Sequence, residues 1–124
     1  MTIDVLVVDD EPLVAENLQA FLEDDGMLVQ TVGSAEQAIA LVERGIRFDV
    51  CIMDLRLPGM DGSAAIQTLR RLFPGLRFII HTGSASFTLP GELKALGIAD
   101  ACLLKKPVGD MDVLANMVRS LAGR

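Results

Sequence analysis

Five short apolar runs alternate along this chain with segments whose apolar residues recur at helical spacing. Most of the runs are rich in β-branched residues, and they stop at polar residues or turn signals, as strands buried on both faces do. No pair of consecutive runs is joined by a two-residue hairpin signal. The five runs cover residues 3–8, 27–32, 48–53, 76–81 and 101–104.

The segments between and after these runs predict five helices. Pro12 suits the first turn of the first helix, which ends near Asp25. Ser34, followed three residues later by a glutamine, resembles a capping box that opens the second helix, which runs to about Arg44. Asp110 is positioned to cap the last helix. The residues expected to face the core are Val14, Leu18, Phe21, Leu22, Ala38, Leu41, Val42, Ile66, Leu69, Leu72, Phe73, Met111, Leu114, Val118 and Leu121.

The third and fourth helices differ in how clearly the sequence defines them. The third is predicted over residues 63–73, where Pro74 and a glycine stop it. In the segment 84–97 three leucines indicate a helix, but the Pro-Gly pair at 90–91 would break its start. We therefore expect a short or late-starting fourth helix.

This order of elements predicts an α/β fold. Strands that alternate with helices form a parallel sheet covered on both faces, and right-handed crossovers restrict the topology to a doubly wound sheet. We expect a flavodoxin-like, five-stranded parallel sheet in the order 2-1-3-4-5, with five helices. The 124 residues suit one domain that covers 1–124.

The composition excludes several classes of protein. A hydrophobic fraction of 51% is enough for a core, and no apolar run approaches the roughly 18 residues of a membrane span. The N-terminal sequence has no basic region or cleavage site, so it does not resemble a signal peptide. The net charge of −6 argues against direct nucleic acid binding, which requires a basic surface. We expect a cytoplasmic protein that contacts neither nucleic acid nor membrane.

The two cysteines, Cys51 and Cys102, both fall in predicted strands. If these are the third and fifth strands, one strand separates them, and a spacing of about 9 to 10 Å exceeds the reach of a disulfide. We expect two buried free thiols.

Four of the predicted strands end in polar groups that suit phosphoryl chemistry. Asp9 and Asp10 follow the first strand, whereas Asp54, Thr82 and Lys106 follow the third, fourth and fifth. Because the carboxyl ends of parallel strands lie on one edge of the sheet, these groups converge. Three carboxylates close together repel one another, and Mg²⁺, which prefers carboxylate and water oxygens, would relieve that repulsion. A lysine and a hydroxyl could then hold phosphoryl oxygens while Asp54 acts as the nucleophile and forms an acyl phosphate.

Four segments resemble the receiver domain of bacterial two-component response regulators. They are LVVDDE at 6–11, MDLRLPGMDG at 53–62, HTG at 81–83 and LLKKP at 103–107. The resemblance covers the whole chain, with the segments in the same order. It implies a phosphorylation-controlled switch in the bacterial cytoplasm, a regulatory domain that phosphorylates itself from a phosphodonor, with Mg²⁺, and dephosphorylates itself.

The resemblance also implies a role for each acidic site residue. Asp54 accepts a phosphoryl group from the phosphohistidine of a sensor histidine kinase or a histidine phosphotransfer protein. Asp10, Asp54 and the backbone carbonyl of Arg56 bind Mg²⁺ directly, and Asp9 acts mainly through water. Other implied partners are a downstream protein target or output domain, and a second copy bound through the face formed by the fourth helix, fifth strand and fifth helix.

Two further roles follow from the same resemblance. Lys106, which adjoins a proline, binds a phosphoryl oxygen, and Lys105 is a surface charge. The Thr82 hydroxyl moves onto the phosphorylated site. The family usually carries an aromatic residue three positions before the site lysine, but this chain has Leu103 there. A coupling between Thr82 and an aromatic side chain is therefore not implied here.

Several alternatives stay open. The Asp9-Asp10 pair could simply cap the first helix, and His81 could carry phosphate, although a strand histidine packed beside the site is the simpler interpretation. The chain could also be a phosphorylation-independent adaptor or a Mg²⁺-dependent phosphatase with an aspartyl nucleophile. Such phosphatases generally place a second acid two residues after the nucleophile, where this chain has Arg56.

Overall fold

The computed structural model describes residues 2–55, 62–83, 91–98, 103–105 and 110–123. Within them all neighbouring strands are parallel. The strands are β1 (Asp4–Val8), β2 (Leu28–Val32), β3 (Val50–Met53), β4 (Arg77–Thr82) and β5 (Leu103–Lys105). Their order in the sheet is β2-β1-β3-β4-β5, which confirms the predicted fold class and strand order.

Helices cover both faces of this sheet. They are α1 (Pro12–Asp24), α2 (Ala35–Glu43), α3 (Gly62–Leu72), α4 (Gly91–Lys94) and α5 (Met111–Gly123). Each helix follows a strand, as the alternation of the sequence predicts. The described part of α4 is a single turn, in agreement with the expected short fourth helix. In the part of the chain that the structure describes, no helix is long and apolar enough to cross a membrane.

The predicted capping residues act largely as expected. The Ser34 hydroxyl accepts a hydrogen bond from the Gln37 N–H (3.2 Å), as in a capping box. The Gln37 side chain reaches back to the Gly33 N–H (2.9 Å), one residue earlier than a standard box would predict. At the start of α5, the Asp110 carboxylate accepts from the Asp112 N–H (2.9 Å), which confirms the predicted cap.

The strand residues alternate between two cores, because successive side chains of a strand point to opposite faces. One core packs the sheet against α2, α3 and α4, and the other packs it against α1 and α5. The first contains Leu6, Val8, Cys51, Met53, Phe78 and Ile80 from the strands. The second contains Val5, Val7, Val50, Ile52 and Ile79. Every side chain of β3 is buried, so the strand that leads into Asp54 lies at the centre of the fold.

One of the residues predicted to face the core does not do so. Leu72 is exposed, because it lies roughly 90° around the helix from the centre of the buried face of α3.

Cys51 is a buried free thiol, as expected, and burial raises its pKa above the ordinary thiol range. Cys102 lies outside the described residues.

Candidate functional site

The ends of β1 and β3 bring two aspartates side by side. The Asp54 N–H donates to the Val8 carbonyl (3.0 Å), which extends the pairing of Val8 with Met53 by one residue. The Asp9 N–H donates to the Val32 carbonyl on the other side (3.1 Å). Asp9 and Asp54 are therefore fixed by backbone hydrogen bonds at the carboxyl edge of the sheet. In the order 2-1-3-4-5, the boundary between β1 and β3 is where such sheets bind ligands.

Both aspartates are buried, each with 4% of its surface exposed. The exposed Glu11 joins them, and one carboxylate oxygen from each of Asp9, Glu11 and Asp54 lies within 4.8 Å of the others. Oxygens this close in a buried site repel strongly unless a cation lies among them. A set made only of hard oxygen donors fits Mg²⁺ or Ca²⁺ rather than a softer transition metal.

A tight turn after β1 forms this group. The Glu11 N–H donates to the Asp9 carboxylate (2.9 Å). Glu11 is the N-cap of α1, and its side chain makes no capping hydrogen bond with the helix. The Asp9 carboxylate therefore accepts a hydrogen bond at the entry to α1, and the alternative in which the Asp9-Asp10 pair only caps this helix stays open. Glu11 is not among the site residues predicted from the sequence, and its spacing of two residues from Asp9 was the available indication that it would lie close to the site.

Asp10 is placed differently from its neighbours. It is exposed, and together with Asp9 it lines a cleft of about 260 Å³ between α1 and the end of β2. It is not among the three carboxylates that lie within 4.8 Å. Its predicted role as a direct Mg²⁺ ligand stays a prediction, as does the role of the Arg56 carbonyl, since Arg56 lies outside the described residues.

The end of β4 adds two buried polar residues to the same edge. Thr82 is fully buried, and His81 has 4% of its surface exposed. Thr82 pairs with Lys105 of β5, so the next residue along the chain is the predicted site lysine, Lys106. Lys106 itself lies outside the described residues. His81 is a strand residue inside the sheet, as its simpler interpretation predicts.

The start of α3 lies directly against the end of β3. A Cβ atom added at Gly62 would come within 2.6 Å of the Leu55 Cα and 3.1 Å of the Asp54 carbonyl oxygen. Real Cβ atoms essentially never approach another atom as closely as the first of these distances. The backbone of α3 is therefore in contact with the backbone that carries Asp54.

A doubly wound sheet with buried carboxylates at the ends of its first and third strands defines a class of α/β domains that bind their ligands at that edge. Within this class, residues 5–119 match the response regulator receiver domain family. The chain belongs to that family. It is therefore a regulatory receiver domain of the two-component type, as the sequence resemblance implies.

Curated relatives support the same conclusion. The chain is 34% identical to the alginate biosynthesis transcriptional regulatory protein AlgB of Pseudomonas aeruginosa, over 77% of this chain and 21% of that protein. It is 32% identical to protein-glutamate methylesterase/protein-glutamine glutaminase 1 of Paramagnetospirillum magneticum, over 94% of this chain and 31% of that protein. The chain therefore spans about a fifth to a third of the length of these relatives.

Solved structures share the fold over nearly the whole chain. A CheY-like receiver domain from Methanospirillum hungatei superposes with a TM-score of 0.84 and 26% identity, covering 98% of this chain and 94% of that one. A response regulator from Burkholderia pseudomallei has a TM-score of 0.77 and 27% identity, covering 95% and 71%. That structure contains a phosphorylated aspartic acid, a calcium ion and citrate.

Proposed function

We propose that this chain is a phosphorylation-controlled signalling switch whose acceptor is Asp54. The observation that carries the proposal is a buried carboxylate at the end of the central strand, with two further carboxylates within 4.8 Å of it. Membership of the receiver family supports the same residue, because Asp54 follows the central strand in the segment that resembles the family. The proposed domain covers residues 1–124.

The proposed metal is Mg²⁺, held by Asp10, Asp54 and the Arg56 carbonyl, with Asp9 acting through water. Glu11, whose carboxylate lies beside those of Asp9 and Asp54, adds negative charge to the site. A bound Mg²⁺ would neutralise charge that otherwise repels an incoming phosphate. The related Burkholderia protein, which holds both a phosphorylated aspartate and a divalent cation, supports this pairing of metal and acceptor.

In the proposed reaction, an Asp54 carboxylate oxygen attacks the phosphorus of a phosphohistidine. The new O–P bond forms as the N–P bond breaks, and the histidine nitrogen leaves with the electron pair. Lys106 would hold a phosphoryl oxygen, and the Thr82 hydroxyl would donate to another. Water would later hydrolyse the acyl phosphate and return Asp54 to its carboxylate form.

The proposed partners follow from this chemistry. The phosphodonor is a sensor histidine kinase or a histidine phosphotransfer protein, and the recipient of the signal is a downstream protein or an output domain. Longer relatives such as AlgB, which is named a transcriptional regulatory protein, support the second of these. We also propose a cytoplasmic location and self-association through α4, β5 and α5 as one way in which the switch could be read.

Intact-protein mass spectrometry tests the proposal. The wild-type chain is incubated with acetyl phosphate and Mg²⁺, beside Asp54→Asn and a control, Asp49→Asn, at the opposite end of the same strand. We expect one phosphoryl group on the wild type and the control, none on Asp54→Asn, and none on the wild type when a chelator replaces Mg²⁺. Full labelling of Asp54→Asn would contradict the acceptor, and full labelling in the chelator would contradict the metal dependence.

A further inference from the structure

The strand β2 forms one edge of the sheet. In the order β2-β1-β3-β4-β5, β1 lies on one side of β2, and no described strand lies on the other. The Leu28 N–H donates to the Ile3 carbonyl (2.9 Å), and the Val32 carbonyl accepts from the Asp9 N–H (3.1 Å). The backbone groups of Leu28 and Val32 therefore point inward, toward β1.

The backbone groups of Val29 and Thr31 point outward, because the direction of these groups alternates along a strand. Side chains cover the two ends of this outer edge. The Gln19 amide donates to the Val29 carbonyl (3.3 Å), and the Gln37 side chain accepts from the Gly33 N–H (2.9 Å). In the part of the chain that the structure describes, no hydrogen bond reaches the Val29 N–H or the N–H and C=O of Thr31. These three groups form the open part of the edge.

The sequence of this edge lacks the residues that usually prevent one edge strand from pairing with another. Natural sheets place charged side chains or prolines on such strands. Residues 27–33, MLVQTVG, contain neither a charged residue nor a proline. Leu28 has 59% of its surface exposed, and Gln30 is exposed as well. The edge is therefore uncharged and partly apolar, in a chain whose net charge is −6.

The open part of the edge is complementary to itself. A twofold axis at Gln30 places Val29 opposite Thr31 of a second copy, and residues opposed in this way in an antiparallel pair exchange both backbone hydrogen bonds. Each Val29 N–H then meets a Thr31 carbonyl. Each Thr31 N–H meets a Val29 carbonyl, which has a second lone pair for it. The same axis places Leu28 opposite Val32, so that an apolar side chain faces an apolar side chain.

We propose that two copies of this chain pair antiparallel along β2, so that their five-stranded sheets join into one. Because the copies are antiparallel, their carboxyl edges lie at opposite ends of the joined sheet, and the two Asp54 side chains are far apart. The pairing therefore does not depend on the proposed function of Asp54. It is also separate from a self-association through α4, β5 and α5, because β5 lies at the other edge of the sheet. One short strand makes a small interface, so the dimer is a weak one.

Sedimentation equilibrium of the full, unphosphorylated chain tests the pairing, at concentrations from about 10 µM to 1 mM, where small interfaces associate. We expect a reversible dimer of the wild type. Gln30→Lys and Gln30→Glu each place two like charges opposite one another at the twofold axis, so each variant alone should raise the dissociation constant about tenfold. An equimolar mixture of the two variants should restore the dimer, because opposite charges then meet.

Three further variants test the backbone contacts and the choice of surface. Thr31→Pro removes an outward N–H and leaves the pairing of β2 with β1 intact, so it should weaken the dimer about tenfold, with circular dichroism confirming the fold. Gln19→Ala exposes the Val29 carbonyl and should strengthen the dimer about threefold. Val113→Lys is the matched control, because it adds a charge at an exposed apolar residue of α5 and should leave the dimer unchanged.

A wild type that stays monomeric up to about 1 mM would overturn the pairing. So would a dimer that persists unchanged in both Gln30 variants, or one that Val113→Lys abolishes while the Gln30 variants keep it. A folded Thr31→Pro chain that associates like the wild type would overturn it as well. If Thr31→Pro does not fold, the Gln30 variants decide, because that side chain is exposed. None of these results depends on whether Asp54 accepts a phosphoryl group.

Discussion

Helices α3 and α4 pack on the same face of the sheet, but they are anchored to very different extents. The α3 helix has eleven residues, of which five are buried, including Ile66 and Leu69. The described α4 helix has four residues, of which only Leu93 is buried. The helix that touches the Asp54 backbone is thus part of the core, and the described residues of the helix beside it add one buried side chain to that core.

This difference in burial implies a difference in how strongly the two described segments are held. Burying a leucine or isoleucine side chain contributes about 2 kcal/mol, and α3 buries two such side chains, Ile66 and Leu69, whereas the described part of α4 buries one. Segments with few buried contacts open at a lower free energy than the core does. Among the described residues, those of α4 are therefore expected to open at a lower free energy than those of α3.

A matched pair of leucine truncations should give the largest effect. Leu69→Ala in α3 should lower the free energy of unfolding by about 3 to 4 kcal/mol, because it leaves a cavity in a core that cannot close. Leu93→Ala in α4 should lower it by only about 1 to 2 kcal/mol, because the loss cannot exceed the free energy that holds α4 in place. Both side chains are fully buried, so exposure does not explain the difference. Urea denaturation measures both, and equal losses would remove the distinction between the helices.

A pair of glycine substitutions compares the first residues of the same two helices. Gly62→Ala should destabilise the chain by about 2 to 3 kcal/mol, because the new Cβ meets backbone atoms of Asp54 and Leu55 that cannot rotate away. Gly91→Ala places its Cβ in open space and should change stability by less than about 1 kcal/mol, with stabilisation the expected direction.

Thermal and urea unfolding measure the two glycine variants side by side. Comparable destabilisation by both would mean that the start of α4 is packed as tightly as the start of α3. A Gly62→Ala protein as stable as the wild type would mean that the start of α3 can withdraw from the Asp54–Leu55 backbone.

Much of this arrangement could be predicted because the sequence patterns are local. Alternating apolar runs and amphipathic segments predict the parallel sheet, and the end of the buried run at Asp54 predicts the site. Ser34 and Asp110 cap helices as their sequence positions predict. The error at Leu72 is also local, since a residue at the edge of a helical face can lie on either side of the boundary.

The features that were not predicted depend on contacts that the spacing of residues in the sequence does not specify. Asp9 and Asp10 are adjacent residues with the same charge, but only Asp9 is buried. The difference arises in the turn in which the Asp9 carboxylate accepts a hydrogen bond from the Glu11 N–H. Ser63 and Glu92 are 29 residues apart and meet only because α3 and α4 pack side by side. No periodicity in the chain indicates such a pair.

The hydrogen bonds that Arg70 of α3 makes at the end of α4 should give a smaller effect than the core substitutions. In Arg70→Lys the charge is kept, but a lysine has no planar group that can donate to both the Leu76 and the Leu96 carbonyl. The variant should lower the free energy of unfolding by about 1 kcal/mol and raise the hydrogen–deuterium exchange of the backbone amides at residues 95–98. Arg71→Lys, the exposed neighbour in the same helical turn, is the control and should change neither. If Arg70→Lys leaves this exchange at the wild-type level, Arg70 is not what holds the end of α4.

The smallest effect is expected on the opposite face, where Arg119 of α5 forms an ion pair with Asp25 beyond the end of α1. The two side chains are 44% and 32% exposed, so water and salt screen the pair and Arg119→Gln should cost at most about 0.5 kcal/mol. High salt should abolish this loss of stability in Arg119→Gln. The loss in Arg70→Lys should persist at high salt, because Arg70 donates to neutral carbonyls in a partly buried site. Urea denaturation at low and high salt measures both variants. A loss of 2 kcal/mol or more, well above the usual range for exposed pairs, would show that the α1–α5 face also depends on polar side-chain links, as the contact between α3 and α4 does.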